Sequence, residues 1–206
     1  MKLAIACVLK SGGDFNHEWV YKLRRGLMRG GLGSLPFFTF TDRPDIIGNA
    51  IKLETNLPGW WSKMELFRLN IPYDWLYFDL DMVVTGDISC LVDIAKRSPN
   101  AIMLRDMFYP QYLASGMMYI PHSCKISVWP GFLAKRKEWM KEKRGDQEAI
   151  AQLLPRATGI WQDQVPGLIK SYKADDCRRK GPQGASIVMF HGKPRPNEVK
   201  HNWMTW

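Results

Sequence analysis

The chain has 206 residues, 46% of them hydrophobic and 12% aromatic, with a formal net charge of +9. That length buries one sizeable core, and no internal repeat or low-complexity tract interrupts it. Cys7, Cys90, Cys124 and Cys177 lie far apart with no Cys-x-x-Cys pair, which argues against a zinc site and for reduced, mostly buried thiols in a cytoplasmic protein.

The apolar N-terminus is too brief for a membrane span and lacks a signal-cleavage pattern, so residues 3–9 are expected to form the first strand. Lys10-Ser-Gly-Gly-Asp14 follows as a polar loop, where a first βα unit usually touches a nucleotide, which marks Lys10. Phe15, Trp19, Val20, Leu23 and Leu27 then share one helical face. Residues 36–40 read as a second strand closing on Asp42, a candidate for base or ribose contact and equally a turn residue. Residues 46–53 read as a weaker strand. Residues 60–69 show helical spacing that places Trp60, Met64 and Phe67 in the core, with Lys63 and Arg68 as polar exceptions that reach a sugar or phosphate or lie along the helix edge.

The most informative run is Trp75-Leu-Tyr-Phe-Asp-Leu-Asp-Met-Val-Val-Thr-Gly-Asp87. Apolar on both faces, it reads as a buried parallel strand. Asp79 and Asp81, two positions apart, point the same way from an extended backbone and make a hard, doubly anionic oxygen site suited to Mn²⁺ or Mg²⁺. Beyond it come a helical turn, a strand at 101–104 ending on Arg105 and Asp106, and a strand at 115–120 opening on Ser115 and Gly116, which permit close approach of a ligand to backbone. Residues 128–143 read as a basic amphipathic helix. A second helix starts at 145, with Asp146 as its N-cap or, together with Gln147, lining a cleft. The last strand, within 183–190, ends on His191-Gly-Lys-Pro-Arg-Pro196, where His191 suits a third metal ligand and Lys193, beside Gly192, a diphosphate-binding cation.

The charge is uneven. Residues 1–120 carry 13 Lys and Arg against 12 Asp and Glu, whereas residues 121–206 carry 16 against 8. The basic half is expected to face a nucleotide, an anionic glycan or lipid head groups.

Phe-Asp-Leu-Asp-Met-Val-Val-Thr-Gly-Asp-Ile at 78–88, Ser-Gly-Met-Met-Tyr-Ile at 115–120, Gly-Asp-Gln-Glu at 145–148 and Phe-His-Gly-Lys-Pro-Arg-Pro at 190–196 together resemble the GT-A fold nucleotide-sugar glycosyltransferases, particularly the glycogenin-like and lipopolysaccharide-glycosyltransferase-like group. The resemblance implies an α/β, Rossmann-like, mostly parallel central sheet flanked by helices. It implies one domain over residues 1–206, with a nucleotide-binding half at 1–120 and a basic acceptor-side half at 121–206. It implies that Asp79, Asp81 and His191 hold Mn²⁺ (or Mg²⁺) and that Lys193 neutralises the departing diphosphate. Asp106, Ser115 and Gly116 would lie near the donor sugar, and Asp146 and Gln147 beneath its anomeric carbon, with retention of configuration.

The implied donor is UDP-glucose or UDP-galactose. The acceptor is a glycan, a lipid-linked sugar or another molecule, and the aromatic tail from His201 to Trp206 closes over the donor, rests on an anionic membrane at the inner face, or packs on the core. Two rivals remain at this stage. Asp79-Leu-Asp-Met-Val83 also matches the first motif of haloacid-dehalogenase-like phosphohydrolases, with Asp175 and Asp176 as late metal acids. The other is a non-catalytic basic module that binds nucleic acid or anionic membrane through residues 121–206, which is less expected because such a module has no need of an acidic pair at the end of a buried strand, so nucleic acid is not an expected partner.

Overall fold

Side chains that alternate between two covered faces build the main sheet. The computed structural model describes residues 2–143, 145–155 and 158–204. In chain order the elements are β1 (Lys2–Leu9), α1 (His17–Leu27), β2 (Phe37–Thr41), β3 (Ala50–Lys52), β4 (Tyr73–Phe78), β5 (Met82–Val84), α2 (Cys90–Arg97), β6 (Ile102–Arg105) and β7 (Leu113–Ile120). They continue with α3 (His122–Ala134), α4 (Arg136–Glu142), α5 (Asp146–Leu153), β8 (Gly159–Ile160), α6 (Trp161–Gln164), β9 (Ile169–Ser171), α7 (Cys177–Lys180) and β10 (Ile187–Met189).

Seven strands pair in the order β3-β2-β1-β4-β7-β6-β8. All run parallel except β7, which is antiparallel to both β4 and β6. The chain is thus α/β with a mostly parallel sheet in a single domain, as expected. Leu76 and Phe78 face α1 through Leu23 and Leu27, while Trp75 and Tyr77 face Met64, Phe132 and Ile150 on the other side. Each large side chain so buried contributes about 1.5–3 kcal/mol, so both faces of β4 anchor the domain.

The run at 75–87 is not one strand. As a strand of the main sheet it ends at Phe78, and residues 82–84 pair instead with β10, which also holds β9, in a separate three-stranded sheet. Asp79, Leu80 and Asp81 are the crossing between the sheets, with the Asp79 amide donating to Gly116 O (2.8 Å) and the Phe190 amide to Asp81 O (3.3 Å).

Three other expectations change. The segment at 46–53 extends only as β3, after a 3₁₀ turn at Pro44–Ile46. The segment from 60 is a 3₁₀ run, Gly59–Phe67, in which every residue from Trp61 to Phe67 is buried, while Trp60, expected in the core, is left 61% exposed. The basic helix is two helices, α3 and α4, meeting at Lys135, whose φ of −127° and ψ of 28° are not helical.

Candidate active site

The strand order turns between β1 and β4, because β2 and β3 lie to one side of β1 and everything after β4 to the other. Ligands of open α/β sheets bind beyond the carboxyl ends of the strands at such a point. A cleft of about 830 Å³ opens there, lined by the loop at 10–15, the crossing at 79–81, the start of α5 and the turn at 190–192. This volume lies within the range of roughly 300–1,000 Å³ typical of small-molecule sites.

Lys63 is the hub of its floor. The 3₁₀ run carries it inward, only 7% exposed, where its Nζ lies 3.1 Å from Asp79 Oδ1, 3.2 Å from Asp146 Oδ2 and 3.0 Å from Ser115 Oγ. Burial opposes the ammonium charge, but Asp146 and Asp79 raise its pKa above the ordinary lysine value. The Ser115 hydroxyl donates to Asp146 Oδ2 (2.7 Å), and the buried Tyr77 hydroxyl donates to Asp79 Oδ1. A continuous chain of charge-assisted bonds therefore joins Asp79 at the sheet crossing to Asp146 at the start of α5. Gly145 is the N-cap residue, so Asp146 is not the cap; its carboxylate is turned into the cleft.

Asp81 is held differently. Its Oδ2 accepts from Arg195 Nη1 at 2.6 Å, and Arg195 also reaches Asp14 at 3.0 Å. Burial and the neighbouring Asp79 push the Asp81 carboxyl up to about 7, against the pull of Arg195 and Lys63. His191 lies edge-on to Phe108, with ring centroids 5.6 Å apart, and its Nε2 is buried without a hydrogen-bond partner. Burial and Lys173 lower the His191 pKa, favouring the neutral imidazole, the form that ligates metals.

Among the described residues no group of three or more His, Cys, Asp or Glu side chains is assembled as a metal cage. The expected set of Asp79, Asp81 and His191 is thus not gathered, because Lys63 and Arg195 occupy the two carboxylates. The donor chemistry nevertheless fits a hard divalent ion, with two carboxylates and an imidazole nitrogen that has no other partner at one cleft.

Lys10, Asp106, Gly116, Gln147 and Gly192 also line the cleft. Two expected residues do not. Asp42 stands behind the first loop, accepting from Lys10 Nζ (2.9 Å), Ser11 N (2.9 Å) and Ser11 Oγ (2.5 Å); against its burial these bonds hold its carboxyl down at about 2. Lys193 is 77% exposed and 3.7 Å from Glu198, since Gly192, at φ +65°, turns the chain outward. Arg195 takes the place beside the aspartates that the sequence reading gave to Lys193. The signal was present, an arginine fixed between two prolines, but nothing in the spacing favoured it over the lysine. Tyr77 was read only as apolar filling, and Trp60 as core.

Asp175 and Asp176 also lie off the cleft. Asp175 Oδ2 accepts from Ser171 N (2.7 Å), and Asp176 pairs with Arg179 (2.6 Å). The phosphohydrolase reading needs both acids beside Asp79 and Asp81, so the structure removes it. Arg68, the other polar exception of its segment, pairs with Glu54 at 2.7 Å away from the cleft.

The cleft's charge is unlike that of the chain. Among the described residues six carboxylates line it, from Asp14, Asp79, Asp81, Asp106, Asp146 and Glu148, against three cations, Lys10, Lys63 and Arg195. Among the described lysines and arginines after residue 120, only Arg195 lines it.

No protein-family model and no curated protein matches the sequence. In three dimensions the chain is similar to solved glycosyltransferase structures. Glycosyltransferase GlyE of Streptococcus pneumoniae TIGR4 superposes with a TM-score of 0.67 at 16% identity, over 95% of this chain and 56% of that one. The chain shares the GT-A fold of glycosyltransferases. It spans a little over half the length of GlyE, and comes closer to the full length of two smaller structures. The galactosyltransferase LgtC, solved with donor and acceptor sugar analogues, has a TM-score of 0.65 at 13% identity, over 94% of this chain and 88% of that one. A glycosyltransferase involved in glycosylation of the major capsid of PBCV-1 has a TM-score of 0.59 at 13% identity, over 96% and 97%.

Proposed function

We propose that this chain is a metal-dependent glycosyltransferase that moves a hexose from a uridine diphosphate donor to an acceptor with retention of configuration. The observation that carries the reading is the Lys63 bridge, which ties Asp79 and Asp146 together in one cleft at the strand-order switch. A diphosphate end and a sugar end are thereby built into a single continuous site.

The electrostatics support the metal. Asp79 and Asp81 at the strand ends would repel a nucleoside diphosphate unless a positive ion accompanies it. Asp79, Asp81 and His191 would hold that ion, which when bound offsets the charge of the departing diphosphate as a Lewis acid. Arg195, beside Asp81, supplies a further fixed cation where negative charge develops. At the sugar end, Ser115 and Lys63 fix Asp146, so its carboxylate faces positive charge building at the anomeric carbon, with Gln147 adjacent on the same helix. Free thiols at Cys7, Cys90, Cys124 and Cys177 fit the cytoplasm, and no helix among the described residues is long and apolar enough to cross a membrane.

The deciding experiment follows release of nucleoside diphosphate from a panel of nucleotide sugars, with and without Mn²⁺, beside a generic phosphatase substrate. Metal-dependent release from a UDP-hexose, lost in Asp81→Asn with the fold retained, is the expected result. Phosphate release from the generic substrate without donor turnover, or full activity in Asp81→Asn, overturns it.

A further inference from the structure

A strand covered on both faces needs bulk from its aromatic residues, and phenylalanine supplies the same ring as tyrosine without a hydroxyl that burial strips of water. Tyr77 nevertheless carries one. It is 1% exposed on β4, inside the core on the same side as Trp75, and its hydroxyl donates to Asp79 Oδ1. Backbone geometry brings the two together, because residues two apart on an extended chain point to the same face. The Asp79 amide, donating to Gly116 O (2.8 Å), fixes the first residue past β4 within reach of the phenol.

The two groups that hold Asp79 favour one of its oxygens. Lys63 Nζ lies 3.1 Å from Oδ1 and 3.5 Å from Oδ2, and 5.2 Å from the centre of the Tyr77 ring. Beside Oδ2 stands Gly116, where a Cβ would come within 3.4 Å of that oxygen. Oδ1 is therefore committed to Tyr77 and Lys63, which leaves Oδ2 the freer oxygen at the cleft. A neutral phenol also fixes the carboxylate without cancelling its charge, as a second cation would. Asp81 is held by the contrasting device, a guanidinium 2.6 Å from its Oδ2. Hydrogen bonds that orient a metal-ligating side chain are typically worth about ten- to a hundredfold in metal affinity.

Resting on the metal-dependent reading above, we propose that Tyr77 is a positioning residue for the divalent ion, its hydroxyl holding Asp79 Oδ1 so that Oδ2 is presented to the metal.

The test is the Mn²⁺ affinity of the whole chain, read by electron paramagnetic resonance of the free ion, with urea unfolding of each variant alongside. Tyr77→Phe keeps the ring and removes only the hydroxyl, and it should weaken Mn²⁺ binding about tenfold or more. Trp75→Phe is the control for damage to the core. Trp75 is 0% exposed, lies four residues before Asp79, and would lose its bond from Nε1 to Leu66 O (3.1 Å). That variant should be less stable in urea yet keep its Mn²⁺ affinity within about twofold. Unchanged affinity in Tyr77→Phe, or an equal loss in Trp75→Phe, overturns the proposal. Donor turnover measured in parallel separates the two ideas. Mn²⁺ binding that depends on the Tyr77 hydroxyl, without turnover of any donor, removes the transferase and leaves the positioning role. Metal-dependent turnover with Mn²⁺ affinity equal in wild type and Tyr77→Phe does the reverse, and a wild type that binds no Mn²⁺ removes both.

Discussion

Lys63, its side chain 8% exposed, sits between the buried carboxylate of Asp146 and the half-buried carboxylate of Asp79, which would otherwise repel each other. Removing one partner of a buried ion pair leaves the others uncompensated, which typically costs about 3–5 kcal/mol. Lys63→Met is therefore expected to lose about 3 kcal/mol in urea unfolding. Adding Asp146→Asn should restore part of the loss, and a double variant no more stable than the single would show that charge compensation is not what Lys63 provides. Arg195 and Lys193 separate cleanly at the same scale. Arg195→Ala should lower donor turnover tenfold or more by the loss of a cation at the leaving group, roughly 1.4 kcal/mol per tenfold. Lys193→Ala, at an exposed position 3.7 Å from Glu198, should stay within about twofold. Equal losses in the two variants would return the diphosphate role to Lys193.

At the scale of elements, the joint between α3 and β4 depends on a buried lysine remote from the cleft. Lys125 is 0% exposed, and its Nζ donates to Ile71 O (3.0 Å) and Tyr73 O (2.7 Å) while lying 5.0 Å from the centre of the Trp75 ring. Burial lowers its pKa to about 8, against the opposing pull of Cys124 and Asp74. Between pH 8 and the ordinary lysine value the unfolded chain holds a proton that the folded chain has released, so this group makes stability rise with pH across that window. From pH 7.5 to 9.5 the gain is about 2 kcal/mol. Denaturant unfolding of wild type and Lys125→Met at both pH values isolates it, since the gain should vanish in the variant. An unchanged difference would mean that Lys125 titrates normally.

The whole molecule separates its charges. A chain of net charge +9 encloses a cleft whose lining is net acidic, so donor and metal should enter together. In a thermal-shift experiment UDP alone should move the melting temperature little, Mn²⁺ alone somewhat, and the two together by more than the sum. A ligand at about a hundred times its dissociation constant stabilises by about 2.7 kcal/mol, a shift large enough to read. Equal stabilisation by UDP with and without the ion would contradict the metal requirement. None of the described tail residues, His201 to Met204, lines this site. Trp203 and Met204 pack on the small sheet beside Tyr172, His201 Nε2 meets Tyr172 Oη at 2.9 Å, and Thr205 and Trp206 lie outside the described residues.

Sequence alone determined the elements whose periodicity is local: β1, α1, the apolar β4, β7 except for its first two residues, and the helix starting at Asp146. It also determined the order of motifs that carries the fold, because strand and helix repeats follow from backbone geometry within a few residues. Pairing partners, by contrast, depend on residues far apart. That the run at 75–87 divides between two sheets follows from β10, about a hundred residues later, offering Met82 and Val83 a second edge. That Trp60 faces water while every residue from Trp61 to Phe67 is buried follows from what packs around the segment, since no period within it separates Trp60 from Lys63 and Leu66. Arg195 outranks Lys193 because a left-handed Gly192 reverses the chain and decides which cation returns to Asp81. Spacing predicted which residue types meet at the cleft. Only the tertiary structure, by fixing the direction of each turn, decided which of them face into it.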